Sequence, residues 1–290
     1  MDLCSHHRSE AFVVRRHLPL ALAAVALALA SVGLSTAAQA PGKPDIDVLT
    51  GAQVALRTRW RGEQRLPADV PILVMAGHAD SQAIAGSGTS GAAVGLHGDT
   101  PMDARMRDEL FWNFRVRDAV VAMGRDRGLN IRAYTPDVLT INDANDPRTN
   151  WSAGRRHSDA GGYALEIHFD AYGPDGFGSG LIPAVNRPRN RLDESLAQAF
   201  GRYPLNFRGG LGAPRRGISI LEVGKLEGTL EQRLRDPESR QPVIDTIARR
   251  IIEALVIGLE PPAPARFSSR PDGGDSAPLK THPPASSGVG

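Results

Sequence analysis

The chain has 290 residues, 41% of them hydrophobic, and a formal net charge of +2. The hydrophobic share excludes a wholly disordered chain, and the single long apolar stretch excludes a polytopic membrane protein. Residues 1–40 and 261–290 each carry one net positive charge, so residues 41–260 are neutral and lack the basic footprint of a nucleic-acid binder.

Arg8, Arg15, Arg16 and His17 precede an apolar run from Leu18 to Leu34, and Ser35–Ala40 is rich in small residues. A charged region, an apolar core and a small-residue cleavage site in that order predict an export signal over 1–40. Cleavage after Ala38 or Ala40 would leave no stable membrane insertion; uncleaved, the run would be a short anchor. The implied location is periplasmic or extracellular, in a bacterium. Cys4 is the only cysteine and falls in the signal. The mature chain would have no disulfide, and a metal site would have to use His, Asp or Glu.

Residues 41–70 read as an N-terminal extension with one or two strands within Asp47–Trp60. Pro71–Gly77 is a short apolar run ending in glycine, as in a buried strand. Residues 79–104, rich in Gly, Ser and Ala, read as a long loop, a length that usually accompanies function or mobility. Asp108–Arg127 reads as a helix with Leu110, Phe114, Val121 and Met123 at roughly helical spacing and Gly128 as its stop. Phe114 is expected in the core, and Trp112 either in the core or bordering a sugar-binding surface. Leu129–Tyr134 reads as a strand, Asp137–Gly154 as a polar loop and Tyr163–Phe169 as a third strand. A helix over Arg191–Arg202, a fourth strand over Gly217–Val223 and a helix over Gln241–Leu259 follow. The last helix carries Val243, Ile247, Ile251, Leu255 and Ile257 on one side. Alternating strands and helices predict an α/β fold: a single domain over 71–260 with a mostly parallel twisted sheet flanked by helices. Residues 261–290 are Pro/Ser/Gly-rich and read as a disordered tail.

Three of the expected strands end in, or carry, a group able to bind metal or move a proton: His78, His168 and Glu222. Ligands of open α/β sheets bind beyond the carboxyl ends of the strands, so residues far apart in sequence can meet there. Glu109 opens the long helix and could face the same edge. Two His and one Glu form a catalytic zinc set, and a second Glu can act as general base and acid. Each residue also has an ordinary reading: a hydrogen-bonded structural histidine, or a first-turn acid favoured by the helix dipole. Glu222 is harder to place that way, because a carboxylate within an apolar strand is costly unless it is paired. Glu166, two residues before His168 on the same strand face, either holds His168 from behind or lies at a solvated edge. His97 and His157 read mainly as surface residues. Arg215 and Arg216 form a basic turn that is either solvated or meets carboxylates of a ligand.

At these segments the chain resembles the zinc-dependent N-acetylmuramoyl-L-alanine amidases of the type 3 kind. The resemblance rests on four blocks in order over about 70–258: Gly77-His78 after a strand; Glu109 with Asn113; Ile167-His168-Phe169-Asp170-Ala171; and Leu221-Glu222-Val223-Gly224. It implies that His78, Glu109 and His168 bind Zn2+ and that Glu222 is the catalytic acid/base. It also implies that the substrate partner is peptidoglycan, cut between N-acetylmuramic acid and L-alanine. The sequence has no recognisable additional wall-binding domain, so targeting would fall to the catalytic domain, the first mature residues or a regulatory protein partner. The chain departs from the family in the 31-residue interval from His78 to Glu109, where 79–104 looks inserted, and in Glu166, where a small hydroxyl residue is usual. Two other functions remain open at this point. One is a zinc carboxypeptidase-like peptidase, although Ser81 stands where a His-x-x-Glu pair would need Glu. The other is a non-catalytic cell-wall-binding module.

Overall fold

The computed structural model describes residues 46–47 and 49–260, so the expected export signal and tail lie outside the described residues. Ile46–Asp47 (β1) and Gly51–Ala52 (β2) form a small antiparallel pair, followed in chain order by β3 (Ile72–Ala76), α1 (Gly91–Gly95), α2 (Asp108–Asp126), β4 (Ile131–Tyr134) and α3 (Asn150–Asp159). Then come β5 (Tyr163–Asp170), β6 (Gly180–Ile182), α4 (Arg191–Phe200), β7 (Ile218–Lys225), α5 (Gly228–Arg235) and α6 (Arg240–Leu259). The main sheet has the order β4-β3-β5-β7-β6, parallel except for the edge strand β6. The α/β fold with a mostly parallel sheet is as expected.

The central strands are mostly apolar because both of their faces are covered. On one face Ile72, Val74, Leu165, Ile167, Leu221 and Val223 pack under α2, α4 and α6. On the other, Leu73, Met75, Ala164, Ile218 and Ile220 form a smaller layer against Trp151 of α3 and the segment around Tyr203–Ala213. Residues 49–70 fasten to this body. Trp60 is buried in the larger layer, donates its indole N–H to the Tyr203 carbonyl at 2.7 Å and lies under the Arg202 guanidinium at 4.2 Å. No helix among the described residues is long and apolar enough to cross a membrane.

Local chemistry explains the helix ends. Asn190 and Asp193 make a reciprocal capping box at the start of α4. Thr149 caps α3 by accepting from the Ser152 amide at 3.1 Å. Gly128 takes φ 77 after α2, which a side chain would resist.

Several expectations are corrected. The segment 79–104 is not wholly loop, since it contains α1. The polar loop ends at Thr149, because α3 begins at Asn150. This helix buries Ala153 and Gly154 rather than large apolar groups, and so has no hydrophobic period to read. β6 and α5 were not anticipated; both are short. Ile257 faces solvent at 53% exposure, outside the Val243–Ile247–Ile251–Leu255 stripe. Trp112 is fully buried and borders no sugar-binding surface, whereas Phe114 is only partly buried.

Candidate metal centre

The carboxyl ends of β3, β5 and β7 lie side by side, and the site grows from their register. His168 of β5 pairs with Glu222 of β7, so the two side chains leave the same sheet face as neighbours. The ladder shifts register between His168 and Asp170, an irregularity of the kind that re-aims side chains beside active sites. β3 ends one step before Gly77, whose amide donates to the Ile167 carbonyl at 2.9 Å. A Cβ at Gly77 would come within 2.5 Å of the His168 imidazole. Only glycine lets that ring lie across the end of β3.

His78 follows in the left-handed region, φ 63, a strained setting for a residue with a Cβ. Residues of the 79–104 segment hold it there. Gln82 donates its amide to the His78 carbonyl at 2.8 Å, and Ser87 Oγ lies 2.8 Å from His78 Nδ1. That contact leaves Nε2 turned inward, 3.5 Å from Glu109 Oε1. The His78 and His168 rings meet edge-on with centroids 4.8 Å apart.

Glu109 comes in from the first turn of α2 and is buried. Its Oε2 accepts the Thr89 amide at 2.7 Å, and its Oε1 lies 3.1 Å from His168 Nδ1. Asn113, one turn on, donates to the Gly77 carbonyl at 3.1 Å and ties the helix to the end of β3. One ligand atom each from His78, Glu109 and His168 lies within 4.8 Å of the others, and the three could hold a metal ion. The two Glu109–His separations, 3.1 and 3.5 Å, match the roughly 3.3 Å edge of a tetrahedron built on metal–ligand bonds of about 2 Å.

The charge balance also calls for a cation. Glu109, Glu166 and Glu222 surround His168, and none of the three forms an ion pair with a lysine or arginine of the described residues. Burial would raise Glu109, but the neighbouring His78 and His168 imidazoles and the Thr89 amide outweigh it and hold the carboxylate below its usual range. Burial holds His78 low, in the neutral form that binds metal. For His168, burial opposes protonation, yet Glu109, Glu166 and Glu222 together lift the imidazole well above its usual value. Burial pushes Glu222 up to about 8, and its Oε2 is buried without a hydrogen-bond partner. Glu166 is buried, with Oε2 3.5 Å from His168 Nε2, so the solvated-edge reading does not hold.

These groups open onto a cavity of about 550 Å³. Its walls are the 81–89 segment, Thr149 and Trp151 at the start of α3, and residues 208–213. The supporting roles of Gln82, Ser87 and Thr89 had no sequence signal beyond a Gly-rich, polar loop. The other candidates lie elsewhere. His97 is exposed after α1. His157 is half-buried, with Nε2 2.9 Å from the Pro71 carbonyl at the opposite edge of the sheet. Arg215 is exposed and donates to the Gly209 carbonyl of its own loop; Arg216 stacks on Trp151 at 4.6 Å.

No protein-family model matches the chain, and no curated protein matches it. Solved structures with a similar course of the chain include the catalytic domain of the CD27L endolysin targeting Clostridia difficile, at 17% identity and TM-score 0.43, covering 64% of this chain and 97% of that one. The apo N-acetylmuramyl-L-alanine amidase Ami1 from Mycobacterium abscessus is 17% identical with TM-score 0.43, covering 66% and 99%. The catalytic domain of CwlV, an N-acetylmuramoyl-L-alanine amidase from Bacillus (Paenibacillus) polymyxa var. colistinus, is 18% identical with TM-score 0.39, covering 64% and 99%. Likenesses this remote assign no activity to this chain.

Proposed function

We propose that the chain is an exported, zinc-dependent N-acetylmuramoyl-L-alanine amidase of the type 3 kind, a hydrolase that cleaves the amide between N-acetylmuramic acid and L-alanine in peptidoglycan. In this reading 1–40 is the export signal, 71–260 the catalytic domain with 41–70 as its N-terminal extension, and 261–290 a tail. One observation carries it: His78, Glu109 and His168 converge beside Glu222 on a cavity large enough for a sugar–peptide junction. His78, Glu109 and His168 would hold the zinc. The metal would supply polarisation of the scissile carbonyl and a water acidified to near-neutral pKa.

The remaining chemistry belongs to the chain. Ser87 fixes which ring nitrogen His78 turns inward, and Thr89 with Asn113 holds the Glu109 carboxylate in place. Glu222 takes the proton of the attacking water on its carboxylate and returns it to the departing L-alanine nitrogen. Burial raises Glu222 well above the usual carboxylate range and a bound cation would draw it back down, the two opposing influences under which a single carboxyl can both accept and donate a proton.

The test is digestion of purified peptidoglycan by the zinc-loaded protein, with products identified by mass spectrometry and Glu222→Gln run in parallel. Intact stem peptides with a free L-alanine amine, absent from the variant, are the expected products. Cuts inside the stem peptide would refute the amidase in favour of the carboxypeptidase-like reading. Wall binding without products, equal in both proteins, would leave the non-catalytic module.

A further inference from the structure

Among the described residues lining the cavity, five are acidic, Asp80, Glu109, Glu166, Asp170 and Glu222, and Arg208 is the only lysine or arginine. Its setting is unusual. Arg208 stands in the left-handed region with φ 50, two residues after Asn206 with φ 57. The only other non-glycine residue so placed among those described is His78, on the opposite wall. Each such residue carries a strain of about 1 kcal/mol or more, which persists only where the surroundings enforce it.

Arg208 is exposed, and its guanidinium is seated against two rings. It lies 5.1 Å from the ring centres of both Phe177 and Phe207, which meet edge-on, and one Nη2 donates to the Asp175 carbonyl at 2.8 Å. No carboxylate of the described residues pairs with it. Of the nearby arginines, Arg202 pairs with Glu194, while Arg215 and Arg216, like Arg208, each donate to one backbone carbonyl, and Arg202, Arg215 and Arg216 do not line the cavity. Arg208 does line it, with its Nε and Nη1 donors unspent, and its charge reaches Glu222. Away from the His78–Glu109–His168 cluster, Arg208 is the one lysine or arginine on the cavity wall at which an anionic substrate group can settle. A planar fork seated against two rings can pair bidentately with a carboxylate.

We infer that Arg208 anchors a free carboxylate on the peptide side of the substrate, so that the scissile amide lies between the His78–Glu109–His168 cluster and Glu222. This rests on the amidase reading and narrows it to a substrate class: stem peptides with a free carboxylate next to L-alanine, in preference to amidated ones. Arg208 is a specificity-determining residue in this scheme and takes no part in proton transfer.

The experiment compares N-acetylmuramoyl-L-alanyl-D-glutamate with its diamide as substrates for the zinc-loaded wild-type protein, Arg208→Gln and Arg208→Lys, measuring KM and kcat separately. Zinc content and thermal midpoint of each variant check that it is folded. The wild type is expected to show a KM roughly 10- to 100-fold lower for the free acid, the range of a charge-assisted pair. That ratio should fall to about one in Arg208→Gln and recover in part in Arg208→Lys. Equal KM for both substrates in the wild type would overturn the inference and leave the amidase standing. So would a ratio preserved in Arg208→Gln with a shifted pH profile of kcat, which would make Arg208 a partner of Glu222. Failure of the wild type to cleave either compound would overturn the amidase reading, and the inference with it.

Discussion

Gly77→Ala tests the centre through a single methyl group. Gly77 does not stand at positive φ, so alanine suits the backbone, and elsewhere this change stabilises by about 0.4–1 kcal/mol through the unfolded chain. Here the new Cβ would come within 2.5 Å of three atoms of the His168 imidazole. Carbon–carbon contacts are comfortable at about 3.5–4 Å, so the ring must retreat by about 1 Å or more. Metal–ligand distances tolerate only about 0.2 Å, so a retreat of that size takes His168 out of the first coordination sphere. Overpacking costs about 1–3 kcal/mol of stability, and zinc affinity should fall by at least ~100-fold, beyond the loss of an outer support. The assay is competition for zinc against a chelator of known strength, with the thermal midpoint of the zinc-free protein measured alongside. A folded Gly77→Ala protein that binds zinc within threefold of the wild type would refute both the role of Gly77 and the placement of His168 as a ligand.

Other perturbations separate the parts of the site. Glu166→Gln keeps the size of the group facing His168 Nε2 but removes its charge, and should weaken zinc binding about tenfold in the same competition; unchanged affinity would make Glu166 a bystander. Zinc at about 100 times its dissociation constant adds ~2.7 kcal/mol to the folded state. At roughly 2–4 °C per kcal/mol for a domain of this size, the thermal midpoint should rise by about 5–10 °C in wild type and in Glu222→Gln alike; loss of the rise in Glu222→Gln would count Glu222 among the ligands. Glu231 of α5 is buried, accepts the Ala93 amide at 3.0 Å and is pushed up to about 7, chiefly by burial. Because the fold favours its neutral form, the stability it contributes is full below about pH 4.5 and is lost as pH rises through 7. Glu231→Gln should therefore match wild type in urea unfolding near pH 4.5 and exceed it at pH 8 by up to ~3 kcal/mol. An equal difference at both pH values would rule out titration of Glu231 as the cause.

How much of the fold was legible depended on what each element buries. β3, β5 and β7 are covered on both faces, so β3 is an unbroken apolar run and β5 and β7 are largely apolar, interrupted mainly by the polar groups of the site. α2 was legible, and of the residues expected on its core face Leu110 and Val121 are buried while Phe114 and Met123 pack at the margin of the core. The face it buries runs Leu110, Asn113, Val116, Val120, Val121 and Gly124, with Trp112 beside it. A buried Asn and Gly on that line hide part of the period. α3 escaped for a related reason. Gly154 packs so tightly on Ile218 and Met75 that a Cβ would collide with both, and a helix that docks through glycine and alanine leaves no hydrophobic stripe.

The residues that could hold a metal were legible because the topology does the gathering. Adjacent parallel strands end at one edge, so a polar group at the end of each apolar run is brought to its neighbours whatever separates them in sequence. The parts that hold those residues in place follow a different logic. Thr89 meets Glu109 through its backbone amide, which every residue but proline possesses, so its position in the chain carries the contact and its side chain does not. Arg208 lies in a stretch that also contains Arg202, Arg215 and Arg216, all equally basic on paper. What separates it is its place on the cavity wall and a left-handed backbone beside two phenylalanine rings, and these arise only once Asn206–Gly210 has folded against Phe177. What a cation can bind is thus set by where the backbone places it as much as by residue type, and a search in sequence must look for cations that the fold turns into a cavity.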